Sequence, residues 1–326
     1  MIITRTPLRI SIGGGGTDLP SYYRQQDAVV ISAAIDKYVY IGINKTFVDD
    51  YFIKYSALER AVTIDDIEHP IVREALRLAE IPPGVEIVSM ADIPAGTGLG
   101  SSGTFTVGLL RALYAYKREH TTAYALAETA CKIEIELLEQ PVGKQDQYIA
   151  AFGGLSCFQF HRNDTVTVSP LAISNDTLHR LEERLLLFFT GYSRSAGSIL
   201  SDQKERSERQ DDAMAASLAH AARLGREIKE VLESNDCDRF GDLMHEHWEY
   251  KRVRSTGMTN SDIDAWYECG LKNGARGGKL VGAGAGGFLL FYADDPVRLR
   301  EAMTAIGLSE VRFSFDHDGS TVLSRG

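Results

Sequence analysis

The chain has 326 residues, 44% of them apolar and 25% charged, and a net charge of −10. That is enough for two modest domains or one large one with a substantial buried core. An acidic balance without a basic stripe argues against a nucleic-acid partner, and no apolar run reaches the ~20 residues that span a bilayer.

In chain order, residues 1–160 alternate strand-like and helix-like segments. Strands are expected at 2–12, 28–43, 50–55 and 85–90, where β-branched and tyrosine-rich runs occur. A helix is expected at 71–79. Two more, from 104 to about 117 and from 122 to 138, follow a glycine- and serine-rich loop, and a strand closes this half at 155–160. From about 165 the character changes. A buried strand at 185–190 precedes a long, charge-laced helical stretch over 198–234, then helices at 240–254 and 263–273. Strands return at 278–281, 288–292, 310–315 and 321–323. Without a low-complexity linker, the halves 1–165 and 166–326 are expected to pack closely around a cleft.

The stretch Pro94–Thr104, PAGTGLGSSGT, is the strongest local signal. Gly96, Gly98 and Gly100 remove every Cβ from one edge of a loop, so backbone N–H groups can turn inward around a polyanion. The start of the following helix, just after Gly103, adds its partial positive charge. Ser101 and Ser102 place two hydroxyls where a phosphate oxygen or a phosphate-bound Mg²⁺ would sit. Residues 98–103 also match the dinucleotide pattern G-x-G-x-x-G, as do residues 282–287, but neither opens a strand–helix–strand unit ending on an acid. No Walker-type Gly-Lys-Ser/Thr occurs.

Three further constellations stand out. Residues 7–20, PLRISIGGGGTDLP, hold four consecutive glycines that offer nothing to pack, more than a hairpin turn needs. Gly15 and Gly16 would let a ligand approach the backbone, Asp18 would accept hydrogen bonds from sugar-type hydroxyls, and Arg9 lies upstream on the strand. Glu134, on the helix 122–138, would supply an oxygen ligand to Mg²⁺. Twelve positions on, Asp146 lies in a loop between Lys144 and an apolar segment, where a carboxylate can orient or deprotonate a hydroxyl. The third is the glycine-rich turn around Gly284, expected to close over substrate or phosphate from the second half. His245 and His247, two apart on one helix, read as surface or partner-face residues.

Cys131, Cys157, Cys237 and Cys269 lack metal-ligand or redox spacing. Buried free thiols are expected, at Cys131 in a helix and Cys157 in a strand. With an opening strand in place of a leader, a cytoplasmic protein is expected.

Together these motifs resemble those of the GHMP kinase superfamily, over Arg5 to about Tyr292. PAGTGLGSSGT is similar to its ATP loop, VGKQDQY with Glu134 to the galactokinase metal-ligand and catalytic acids, PLRISIGGGGTD to the sugar-kinase first motif, and KLVGAGAGGF to the third. Galactokinases carry a Glu-His pair where this chain has Gly15-Gly16, which argues against galactose. The GGGGTDLP form, with TGYSRSA at 190–196, resembles the D-glycero-D-manno-heptose 7-phosphate kinase branch.

The resemblance implies a two-domain α/β (α+β) fold with the ATP and sugar site between the domains, and in-line transfer of the γ-phosphoryl group of ATP. It implies that Gly96–Gly103 cradles the phosphates, that Ser102 and Glu134 hold Mg²⁺, and that Asp146 orients or deprotonates the acceptor hydroxyl beside Arg9. A phosphorylated sugar needs a second phosphate pocket, for which Arg194 and then Lys144 are the candidates. The alternatives are a kinase for an unphosphorylated sugar, fucokinase- or galactokinase-like, and a catalytically silent binding protein. A homodimer through the helical face 245–252 is a further expectation.

Overall fold

The computed structural model describes residues 1–191 and 196–325, apart from the side chain of Ala196. The elements run β1 (Ile2–Gly13), α1 (Pro20–Tyr23), β2 (Ala28–Lys45), β3 (Tyr51–Lys54), β4 (Leu58–Ala61), α2 (Pro70–Leu78), β5 (Val85–Ala91), α3 (Ser101–Lys117), α4 (Ala123–Cys131), α5 (Gln145–Phe152), β6 (Leu155–Phe160) and β7 (Val166–Pro170). Then follow α6 (Asn175–Arg184), β8 (Leu185–Gly191), α7 (Ala196–Glu208), α8 (Asp212–Glu233), α9 (Cys237–Arg252), α10 (Ser261–Lys272), β9 (Ala275–Val281), β10 (Gly287–Ala293), α11 (Pro296–Ala305), β11 (Ser309–Glu310) and β12 (Thr321–Arg325).

Two sheets organise the chain. The first has eight strands along the path β12-β1-β2-β5-β3-β4, with β6 also on β2 and β7 on β6. The 18-residue β2 supports both extensions: Ala28–Ala33 pairs with β6, and Val39–Lys45 pairs with β5. The second sheet is antiparallel in the order β11-β8-β10-β9. The first sheet takes β7 and β12 from beyond residue 165, so the chain's midpoint does not coincide with the border between sheets. One hydrophobic core runs through both halves, from Leu8 and Ile41 to Leu243 and Leu290, and a smaller one around Phe188, Trp248 and Phe291 backs the second sheet.

Helix α3 is the central element, buried along most of its length. Gly108 makes this close approach feasible, since a Cβ there would meet Thr6 Oγ1 at 2.8 Å. Thr4 Oγ1 donates to the Gly108 carbonyl at 3.0 Å, locking helix to strand.

The structure revises several expected elements. The helical stretch expected over 198–234 divides into two helices: Gln210 takes φ of 55°, and Asp211 caps α8 by accepting from Met214 N at 2.8 Å. The helix expected to 138 leaves α-geometry after Cys131, and Lys132–Leu137 form a π-helical turn in which Leu138 N reaches back five residues to Ile133 O. Residues 145–152, expected to begin as a loop, are helix α5 from their first residue. Of the strand expected at 310–315, only Ser309–Glu310 pairs as a strand, with a single bridge from Phe315 to Ile35. Helices α1, α6 and α11 had no counterpart in the sequence reading. Cys131, Cys157 and Cys237 are buried free thiols. No helix among the described residues is long and apolar enough to cross a membrane.

Candidate active site

A cavity of about 740 Å³ lies between the halves, lined on one side by the loops after β1 and β5 and on the other by α9 and β9. Its floor is the serine loop. Gly96, Gly98 and Gly100 all take left-handed φ, 80°, 84° and 79°, a region open to glycine without strain. The loop runs into α3, whose first turn presents N–H groups that a helix cannot satisfy internally. Ser101 Oγ is buried on the cavity wall with no hydrogen-bond partner among the described residues. Such an orphaned hydroxyl beside free helix N–H groups fits an anionic ligand such as phosphate.

The third glycine motif completes this floor. Gly282 lies against Gly98, where a Cβ on Gly98 would stand 2.6 Å from the Val281 carbonyl, and Gly287 lies against Thr97. Gly282 and Ala283 line the cavity; Gly284 instead faces Met258 and Ile199. Of this turn it is Gly282 and Ala283, and not the expected Gly284, that face the cavity.

Arg9 and Asp146 meet under the serine loop. Arg9 Nε donates to Asp146 Oδ1 at 2.7 Å, Nη2 to Oδ2 at 2.9 Å, and Nη1 to the Gly98 carbonyl at 2.6 Å. Asp146 sits on the first turn of α5, and Cβ atoms at Gly100 and Gly103 would crowd its carboxyl and Cβ. These glycines thus let the carboxylate lie against the start of α3.

Glu134 is fully buried in the π-helical turn. It accepts from Ser102 Oγ and from Gln147 Nε2, the latter at 2.8 Å. Burial pushes its carboxyl up to about 7, against the pull of those two hydrogen bonds. A buried carboxylate beside a hydroxyl, with no basic side chain on it, suits a hard divalent cation completed by phosphate oxygens and water. Among the described residues no cluster of three His, Cys, Asp or Glu could hold a metal by itself. Ser102 and Glu134 therefore fit Mg²⁺ as a partial, phosphate-dependent site.

Asp18 lines the cavity too, but its oxygens are already engaged. Oδ1 accepts from Gly16 N and Oδ2 from Gln145 N, each at 3.1 Å, tying the four-glycine loop to the start of α5. Burial and the nearby Asp146 raise its pKa. Gly15 and Gly16 line the cavity as expected.

Lys144 does not serve as expected. Its ammonium turns away from Asp146 to Glu128 Oε1 at 3.2 Å and the Asp164 carbonyl at 3.1 Å, off the cavity wall. Two residues apart across a helix start, the two side chains diverge. Arg194 lies outside the described residues. His247 is buried on the cavity wall, not at a surface, and His245 Nδ1 pairs with Tyr267 OH at 2.8 Å. The inner face of α9 is thus spent on core and cleft, while Glu249 and Tyr250 on its outer face are exposed.

Two groups escaped sequence reasoning. One is an apolar wall of Tyr55, His69, Met90, Ile93 and Phe105, with His69 stacked on Phe105 at 5.1 Å and edge-on to Tyr55 at 4.7 Å. A flat heteroaromatic base fits such a wall. The other is a set of basic side chains, Lys251, Arg254 and Lys279, on the opposite side.

Known proteins resemble this chain in sequence and in fold. Residues 69–154 match the GHMP kinases N terminal domain, and residues 226–307 match the GHMP kinases C terminal domain. The chain belongs to the GHMP kinases. A D-glycero-alpha-D-manno-heptose 7-phosphate kinase of Campylobacter jejuni is 31% identical over 90% of this chain and 89% of its own. A bifunctional fucokinase/GDP-fucose pyrophosphorylase of Arabidopsis thaliana is 26% identical over 90% of this chain, which spans 30% of that larger protein. Among solved structures, a D-glycero-D-manno-heptose 1-phosphate kinase from Bacteroides thetaiotaomicron superposes with a TM-score of 0.81 at 25% identity, covering 100% of both chains. The two-domain GHMP kinase fold expected from the motifs is therefore the fold of this chain, and its cleft is that of a sugar-type phosphotransferase.

Proposed function

We propose that this protein transfers the γ-phosphoryl group of ATP to the anomeric hydroxyl of D-glycero-D-manno-heptose 7-phosphate, giving the 1,7-bisphosphate, on the route to GDP-heptose for surface glycans. The protein would act in the cytoplasm, where ATP is abundant. The observation that carries the chemistry is the convergence of two pairs, Arg9–Asp146 and Ser102–Glu134, on the start of α3. A catalytically silent module has no need to assemble both. The substrate rests on the heptose phosphate kinases found among the relatives, whose names agree on a heptose bearing one phosphate and differ in its position.

Bound Mg²⁺ would supply charge neutralisation on the transferred phosphoryl oxygens. The chain's own residues do the rest. Residues 96–103 bind phosphates through backbone N–H groups and Ser101 Oγ. The apolar wall at Tyr55 and Phe105 holds the base. Asp146 orients the acceptor hydroxyl and receives its proton as the new O–P bond forms and the bond to the ADP oxygen breaks. Arg9 fixes Asp146 through both oxygens and faces the charge that develops between donor and acceptor.

The test is ADP release with Mg-ATP against heptose 7-phosphate, unphosphorylated heptose, fucose, galactose and mevalonate. Turnover chiefly on the 7-phosphate supports the proposal. Equal or better turnover on a free sugar would overturn the substrate while leaving the kinase chemistry standing.

A further inference from the structure

Resting on the phosphosugar reading, we infer that Arg254, Lys251 and Lys279 form the pocket for the phosphate the acceptor already carries. All three line the cavity, from the end of α9, the turn beyond it and strand β9. Arg254 and Lys279 are 5% and 2% exposed. Buried cations are costly unless paired. Here the charged neighbours that act on Lys251 and Lys279 are one another, Arg254 and Arg9, and none is a carboxylate. Arg9 is already matched by Asp146. Among the described residues, Arg254 Nη2 is buried without a partner, and so is Nε2 of His247, which sits 3.4 Å through Nδ1 from Lys279 Nζ. With Nδ1 accepting, the ring proton is on Nε2, a further unused donor. The site is electrostatically incomplete, and a dianion with several acceptor oxygens completes it.

Its position separates this pocket from the ATP phosphates. Arg254 Nη1 lies 3.4 Å from the Gly15 carbonyl, and Lys279 Nζ donates to the Ile12 carbonyl at 2.9 Å. Ser11 Oγ, on the same strand, is also buried and unpartnered. The cluster is thus built around residues 11–16, the acceptor side, and not around residues 96–103. Gly16 is what admits it: a Cβ there would stand 2.8 Å from Arg254 Nη1. Gly16 and the arginine therefore act together: the missing side chain on the first loop leaves the guanidinium its place in the cleft. Lys251 bridges to the nucleotide side, donating to the Leu280 and Gly282 carbonyls at 2.9 and 2.5 Å.

The test compares wild type, Arg254→Gln, Arg254→Lys and Lys251→Met in steady-state kinetics with Mg-ATP, using heptose 7-phosphate and unphosphorylated heptose. Arg254→Gln should raise KM for the phosphosugar about 10- to 100-fold, the scale of a charged hydrogen bond lost. KM for ATP should move less than about threefold, and Arg254→Lys should recover part of the loss. Should Arg254→Gln fail to fold, Lys251→Met is read by its phosphosugar KM against its KM for unphosphorylated heptose, because Lys251 also holds the Gly282 carbonyl beside the nucleotide loop. A phosphosugar KM that is unchanged, or an ATP KM that rises as much, overturns the assignment alone. A wild type that does not discriminate between the two sugars overturns the phosphosugar reading, and this pocket with it.

Discussion

The guanidinium of Arg9 grips Asp146 through both carboxylate oxygens, at 2.7 and 2.9 Å, and anchors its third nitrogen on the Gly98 carbonyl of the serine loop. Strand β1, helix α5 and the nucleotide loop are thereby fixed to one another at the point where donor and acceptor would meet. Asp146→Asn keeps the shape and removes the charge. Turnover should fall about 10²–10⁴-fold, the range of a general base, while KM for ATP stays near wild type. Wild-type turnover in that variant would remove Asp146 from the chemistry.

Ser102 and Glu134 make the second prediction. Ser102→Ala removes a hydroxyl that contacts the buried carboxylate. The Mg²⁺ concentration giving half-maximal rate should rise severalfold, and the thermal midpoint should fall modestly because a buried carboxyl oxygen loses its donor. An unchanged Mg²⁺ titration counts against the metal role.

The contact between the two halves at Gly98 and Gly282 predicts a coupled loss. Both glycines hold left-handed φ, 84° and 81°, and a Cβ on Gly282 would collide with Gly98 backbone. Gly282→Ala should cost about 1–3 kcal/mol of stability from strain and overpacking and weaken ATP binding with it. Chemical denaturation and nucleotide titration of the same sample check both halves of that statement. A variant as stable as wild type would show that the contact is loose.

A pH dependence follows from Lys251. Burial among Arg254 and Arg9 lowers its pKa to about 7, and Lys279 and His247 are the other titratable groups of this cluster. Below that pH the ammonium is charged and ready for a dianion. Above it the empty site must take up a proton to bind. KM for the phosphosugar should therefore rise from pH 7.5 to 9, by up to about tenfold per unit, and KM for unphosphorylated heptose should not follow. Parallel profiles for the two sugars would contradict the account.

The nucleotide side of this site was legible because its chemistry is contiguous. Glycines at alternate positions with a serine pair at a helix start need no tertiary knowledge, and Glu134 and Asp146 follow within residues 96–146. The acceptor side was not. Lys251 and Arg254 fall in the run KRVR at 251–254, which by itself reads as a solvated helix end; only the packing of α9 on β9 brings Lys279 to them and turns them toward residues 11–16, and sequence proximity pointed instead to Lys144, whose ammonium turns to Glu128. The break between α7 and α8 carries no Gly or Pro; Gln210 adopts the left-handed turn, and the cap at Asp211 gives the only local sign. The π-helical turn at Glu134 was equally hidden, since its pattern of apolar residues reads as continuous α-helix.

The most direct test of the central claim is the identity of the product. Heptose 7-phosphate incubated with the protein and Mg-ATP should yield, by phosphorus NMR, one new phosphate coupled to the anomeric proton, with the 7-phosphate retained and one ADP formed per phosphate transferred. A new phosphate on any other carbon, or ADP formed without a phosphorylated product, would contradict it.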